Sequence, residues 1–108
     1  MNAVFKALAD PTRRKVLELL RQRPMAAGEL ADHFPVSRPT MSAHFAVLRE
    51  ADLIEARRIG TSIIYQLKLS VLEDALLGFA KLFGVGTAGQ VAAAASIDPH
   101  EIQKGPAE

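Results

Sequence analysis

The feature that most limits how this chain can fold is a change of hydrophobic period between residues 37 and 67. From Ser37 to about Ala51 the apolar residues Met41, Phe45 and Leu48 recur at i, i+4 and i+7, which is one narrow helical face. From Ile54 to Leu67 the spacing drops to two. Ile54, Ala56, Ile63, Tyr65 and Leu67 alternate with Glu55, Arg57 and Gln66, and Gly60 separates the two runs. The pattern predicts a helix followed at once by a β-hairpin. Ser37 can cap that helix, and Pro39 lies in its first turn, where a missing N–H costs little.

The segments before and after are helical. Residues 2–9 put Val4, Phe5 and Leu8 on one face. Asp10-Pro11 is a start signal, because Asp caps free amides and Pro at the first helical position gives up no hydrogen bond. Thr12 to Arg23 follows, with Val16, Leu17 and Leu20 on the buried stripe, Leu19 widening it, and Pro24 ending it. Met25 to His33 reads as a third helix carrying Leu30 and Ala31. Phe34 beyond it precedes Pro35 and so avoids the α region. Ser70 caps a fifth helix through about Phe83.

The expected fold is mainly α with a small β part: five helices and a two-stranded hairpin between helices four and five. Two short helices joined by a tight turn form a helix-turn-helix, and a hairpin directly after the second makes it a winged helix-turn-helix. That domain covers residues 1–83. Residues 84–108 read as a Gly/Ala-rich tail, partly disordered, with Gly84, Gly86 and Gly89, a run from Ala92 to Ala95, and a weak helix start at Asp98-Pro99-His100-Glu101.

Composition removes several classes of function. A chain of 108 residues, 49% hydrophobic, suits one domain with a real core. There is no Cys, hence no disulfide, thiolate ligand or cysteine nucleophile. No apolar run approaches the ~20 residues that cross a bilayer, and the first residues lack a signal-peptide layout, so the expectation is a cytoplasmic protein without membrane insertion. The net charge of +1 conceals a division: residues 1–68 hold 11 Lys or Arg against 7 Asp or Glu, and residues 69–108 hold 2 against 5. The first part, at +4, is suited to a polyanion. No enzyme constellation is present. Ser37 and Ser42 lack a nucleophile elbow, and His33, His44 and His100 sit on separate elements. Gly84-x-Gly86-x-x-Gly89 follows no strand and is a breaker cluster rather than a nucleotide loop.

Double-stranded DNA is the expected partner. With Met41, Phe45 and Leu48 turned inward, Pro39, Ser42, Ala43 and Ala46 form the outer arc of the fourth helix, and Arg38 projects from its first turn. Arg38 is the foremost base-reading residue, since its fork matches guanine O6 and N7; the alternative is a solvated or phosphate-bound charge. Pro39, Ser42 and Ala43 complete the reading face, while Ser37 and Thr40 suit phosphates. On the hairpin, Arg57, Arg58 and Thr61 can reach phosphates, the two arginines can instead reach the negative potential of the minor groove, or they simply keep an exposed strand soluble. Arg13 and Arg14 suit pairing with carboxylates at least as well as DNA, and His44 borders the buried face as a packed or capping residue. RNA binding lacks an aromatic platform, because Tyr65 fits the hairpin core. The alternative function is a winged-helix protein-interaction module that does not read DNA.

These residues resemble the ArsR-type winged-helix repressors, within them the SdpR-like autorepressor group. The similar pieces are residues 2–8, Asp10-Pro11-Thr12-Arg13-Arg14, Ala27-Gly28-Glu29-Leu30-Ala31, Ser37-Arg38-Pro39-Thr40-Met41-Ser42 with His44, Val47-Leu48-Arg49-Glu50-Ala51 and Tyr65-Gln66-Leu67. The resemblance covers residues 1 to about 83. It implies a homodimeric repressor on a palindromic operator, joined through its first and last helices by Val4, Phe5, Leu8, Leu72, Leu76, Phe79 and Phe83. The fifth helix is itself apolar over a wide arc, more than one small domain can cover. Two departures stand out: Pro35 in the turn and Asp52 after the reading helix, where the family often has Gly or Asn and Gly respectively. Proline cannot take positive φ, whereas Asp tolerates it. Metal-sensing members use Cys, or His with carboxylates; Glu29, Asp32 and His33, or Glu73 and Asp74, are a poor set for a transition metal. No metal or other cofactor is therefore expected, and any effector is an organic molecule or a protein.

Overall fold

The computed structural model describes residues 2–84. Five helices are present: α1 (Asn2–Leu8), α2 (Pro11–Gln22), α3 (Ala27–Ala31), α4 (Arg38–Glu50) and α5 (Leu69–Leu82). Three strands accompany them: β1 (Met25–Ala26), β2 (Ile54–Ile59) and β3 (Ser62–Leu67). The described residues up to Leu72 form one compact unit, and those from Glu73 to Gly84 belong to a second. The expected features of the tail from Gly86 onward lie outside the described residues.

The helix starts follow their local chemistry. The Asp10 carboxylate accepts from the amides of Thr12 and Arg13 at 2.8 and 3.1 Å, satisfying two of the orphan donors of α2. The Ser37 hydroxyl accepts from the Thr40 amide at 3.3 Å, with Pro39 behind it in the first turn. At the far end of α4, Asp52 takes φ +61° and turns the chain into β2. Its carboxylate is held by Lys68 Nζ at 2.8 Å. The turn containing Pro35 has no positive-φ residue, so it is made without the left-handed step that glycine would allow.

Two expectations need correction. The hairpin between α4 and α5 is present as β2 and β3, but Met25 and Ala26, expected at the start of the third helix, are extended and pair with Tyr65 and Ile64 of β3 as a further strand. β3 is therefore central, in the order β1-β3-β2. Pro24 forces the chain to restart, and the open edge of β3 supplies the missing hydrogen bonds. The third helix consequently begins at Ala27 and stops at Ala31, after which His33 and Phe34 donate to the carbonyls three residues back. The fifth helix starts at Leu69, so Ser70 lies within its first turn rather than before it.

The core of the first unit collects the inward faces of all these elements. Val16, Leu30, Met41, Leu48, Leu53 and Ile54 are almost wholly buried. Each contributes roughly 1.5–3 kcal/mol by leaving water. Phe45 and Tyr65 meet with ring centroids 4.8 Å apart, which fastens α4 to the sheet. A pair between Arg23 and Glu29 joins the end of α2 to α3, and its hydrogen bond holds the Glu29 carboxyl below the usual range.

Candidate nucleic-acid interface

The burial of Met41, Phe45 and Leu48 decides which way α4 faces. On the opposite side Pro39, Ser42, Ala43 and Ala46 are all exposed, as are Ser37, Arg38 and Thr40 at the amino end. Short side chains on the outer arc let a helix approach the floor of a groove, and the amino end carries the longer polar groups. Ser37 and Thr40 are already joined, the Ser37 hydroxyl donating to Thr40 Oγ1 at 2.9 Å. Each keeps lone-pair or proton capacity for a phosphate.

Arg38 is exposed, but its side chain folds back rather than standing clear of the protein. Its guanidinium lies back over α3, with one Nη 3.5 Å from Asp32 Oδ1. Side-chain exposures of 70% and 76% leave this a weak, screened contact, so the fork is free to swing outward. Asp32 was not anticipated as its resting partner; it lies six residues upstream across the turn, a separation set by how α3 unwinds.

On the wing, Ile59 pairs with Ser62 across the two-residue loop Gly60-Thr61. Gly60 has φ +62° and Thr61 does not share it, the pattern of a type II′ turn. Nothing stands within 4 Å of where a Gly60 Cβ would be, so conformation alone calls for glycine there. The two wing arginines are exposed but do not act as one cluster. Arg58 pairs with Ile63 and shares a face with Ala56 and Tyr65, whereas Arg57 pairs with Ile64 on the other face. A shallow cavity of about 320 Å³ lies between wing tip and α3, lined by Ala26, Ala27, Gly28, Thr61, Ser62 and Ile63.

Among the described residues, neither Arg13 nor Arg14 forms an ion pair with a carboxylate. Both reach back to the last carbonyls of α1: Arg13 Nε to Ala7 at 2.8 Å, an Arg13 Nη to Lys6 at 2.9 Å, and Arg14 to Leu8 at 2.7 Å. Helix ends leave such carbonyls unpaired and carry partial negative charge, so a cation placed one short turn later is drawn to them. The other Arg13 Nη lies 3.2 Å from His44 Nδ1 on α4. The signal was visible in the tight corner between α1 and α2, where arginines three and four residues past the cap have few other places to go.

The apolar residues expected at a subunit contact differ in exposure. Val4 is buried within the chain, Phe5, Leu8, Leu72 and Leu76 are half-buried, and Phe79 and Phe83 are exposed. Among the described residues no three His, Asp or Glu side chains are grouped to hold a metal ion, and no helix is long and apolar enough to cross a membrane.

Comparison with known proteins agrees with this geometry. Residues 8–57 match a family described as a helix-turn-helix domain. The transcriptional repressor SdpR of Bacillus subtilis (strain 168) is 47% identical over 76 residues, spanning 70% of this chain and 84% of the relative. A solved ArsR family transcriptional regulator shares 30% identity at a TM-score of 0.65, over 80% of this chain and 92% of its own. A winged helix-turn-helix DNA-binding domain from Mycobacterium bovis, described as homodimeric, shares 29% identity at a TM-score of 0.60, over 75% and 80% of the two chains. These relatives are regulators of transcription rather than enzymes. The chain belongs to the ArsR-type winged helix-turn-helix transcriptional repressors.

Proposed function

We propose that this repressor acts in the cytoplasm as a homodimer that occupies a palindromic operator, α4 entering the major groove and the wing lying along adjacent backbone. The observation that carries this reading is the division of α4 into a buried face of Met41, Phe45 and Leu48 and an exposed face of Pro39, Ser42, Ala43 and Ala46. Arg38, Pro39, Ser42 and Ala43 face base edges; Ser37, Thr40, Arg57, Arg58 and Thr61 bind phosphates. The assembly of the Mycobacterium bovis domain supports the dimer. So do the exposed side chains of Phe79, Leu82 and Phe83 on and beside α5. Two-fold symmetry places the two α4 helices about 34 Å apart, in successive major grooves. The test is a gel shift with the DNA upstream of the protein's own coding sequence. Saturable retention that survives excess random-sequence competitor is expected; equal competition by random DNA overturns the reading.

A further inference from the structure

Arg13 uses all three of its guanidinium nitrogens, and it uses them on two different helices. Nε and one Nη donate to the Ala7 and Lys6 carbonyls at the end of α1, at 2.8 and 2.9 Å. The remaining Nη lies 3.2 Å from His44 Nδ1, in the middle of α4. An arginine side chain can only donate, so Nδ1 accepts and the ring proton sits on Nε2. The guanidinium is planar, so fixing two of its nitrogens on α1 fixes the direction of the third. Arg13 and His44 are both partly buried, which limits competition from water.

Beyond that bond and the exposed Arg38–Asp32 pair, α4 is held to the core by apolar contacts. Met41, Phe45 and Leu48 fix which face of the helix meets the core, but dispersion contacts are non-directional and set the roll within that face less sharply than a hydrogen bond does. A hydrogen bond to a ring nitrogen on the side of the helix is directional. His44 directly follows Ser42 and Ala43, two of the residues in the proposed reading face. We infer that Arg13 is a positioning residue for DNA recognition: through His44 Nδ1 it sets the roll of α4 relative to α1, and with it the discrimination between operator and other DNA. This rests on the reading of α4 as the groove-entering helix.

The test compares three variants with the parent by operator affinity, random-DNA affinity and thermal midpoint. His44→Gln offers a carbonyl acceptor to Arg13; His44→Leu removes the acceptor and keeps a residue that favours helix. Arg13→Lys keeps the charge but cannot serve three acceptors in one plane. We expect the operator-to-random ratio to fall about tenfold in His44→Leu and Arg13→Lys, and to stay within about threefold of the parent in His44→Gln. Random-DNA affinity should be unchanged in all three, which a role confined to stability does not predict for the folded fraction. Side-chain nitrogen NMR of the DNA-free parent should show His44 protonated at Nε2 and not at Nδ1. An unchanged ratio in His44→Leu, a fall that spares Arg13→Lys, or a proton on Nδ1 overturns the inference. A parent without operator preference overturns the functional reading instead, a result distinguishable by its occurring before any substitution.

Discussion

Asp10 and Asp52 show how single carboxylates set helix ends in this chain. Burial pushes the Asp10 carboxyl up, but the amides of Arg13 and Thr12, with the Arg13 guanidinium nearby, outweigh it and hold the group below its ordinary value of 3.8. A carboxyl lowered on folding stabilises the protein above its unfolded value, and that share is lost as pH falls through the folded one. Asp10→Asn keeps a capping oxygen without the charge, so it should lower stability near neutrality by about 0.5–1 kcal/mol. Urea titrations should show this gap closing below about pH 4; a gap that persists in acid contradicts the assignment. Asp52 poses a steric question rather than an electrostatic one. At φ +61° a glycine relieves about 1 kcal/mol of left-handed strain while losing the exposed Lys68 pair, so Asp52→Gly should fall within about 1 kcal/mol of the parent. Asp52→Val, branched at Cβ, should lose about 1–2 kcal/mol by the same measurement.

At the scale of elements, the proposed binding mode divides the work between α4 and the β2–β3 wing. Arg38 stands at the first position of α4, loosely held by Asp32 and able to turn outward. Arg38→Ala should reduce discrimination among operator variants by roughly 1–3 kcal/mol, the worth of one bidentate base contact. Arg57, on a strand whose alternation separates it from Arg58, should behave as a phosphate contact. Arg57→Ala should weaken all sequences alike and reduce the slope of log affinity against log salt by about one. Fluorescence anisotropy across a salt series reads both effects. Equal loss on operator and random DNA for Arg38→Ala would remove it from the reading face.

For the whole molecule, the surface proposed to join two copies is apolar. Phe83 and Leu82 are 70% and 72% exposed, and the Phe79 and Phe83 rings meet at a tilt of 55° with centroids 5.0 Å apart. A chain this small does not ordinarily leave such residues in water unless a partner covers them. Phe79→Asp or Leu76→Asp places an unpaired carboxylate in the proposed contact and should cost several kcal/mol of association. Light scattering should find a dimer for the parent and a monomer or aggregate for either variant, with operator binding lost. A parent that is monomeric at micromolar concentration yet binds its operator tightly would falsify the dimer and the palindrome together.

What the chain's sequence determined by itself was whatever depends on neighbours within about one turn. Asp10 and Ser37 mark helix starts because a capping oxygen acts two or three residues away. The inward face of α4 and the alternation of the hairpin follow from periods of 3.6 and 2, and Asp52 took the left-handed turn because a helix must end there and Asp tolerates it. Tertiary structure decided the rest. Two residues, Met25 and Ala26, carry no strand periodicity; they became β1 only because β3 presented an unpaired edge beside them. Arg38 rests on Asp32, and Arg13 spans from α1 to His44, thirty-one residues further on, because packing brought those groups within reach. Local chemistry names the candidates for a hydrogen bond, whereas the choice among them depends on distances that exist only after the core has closed.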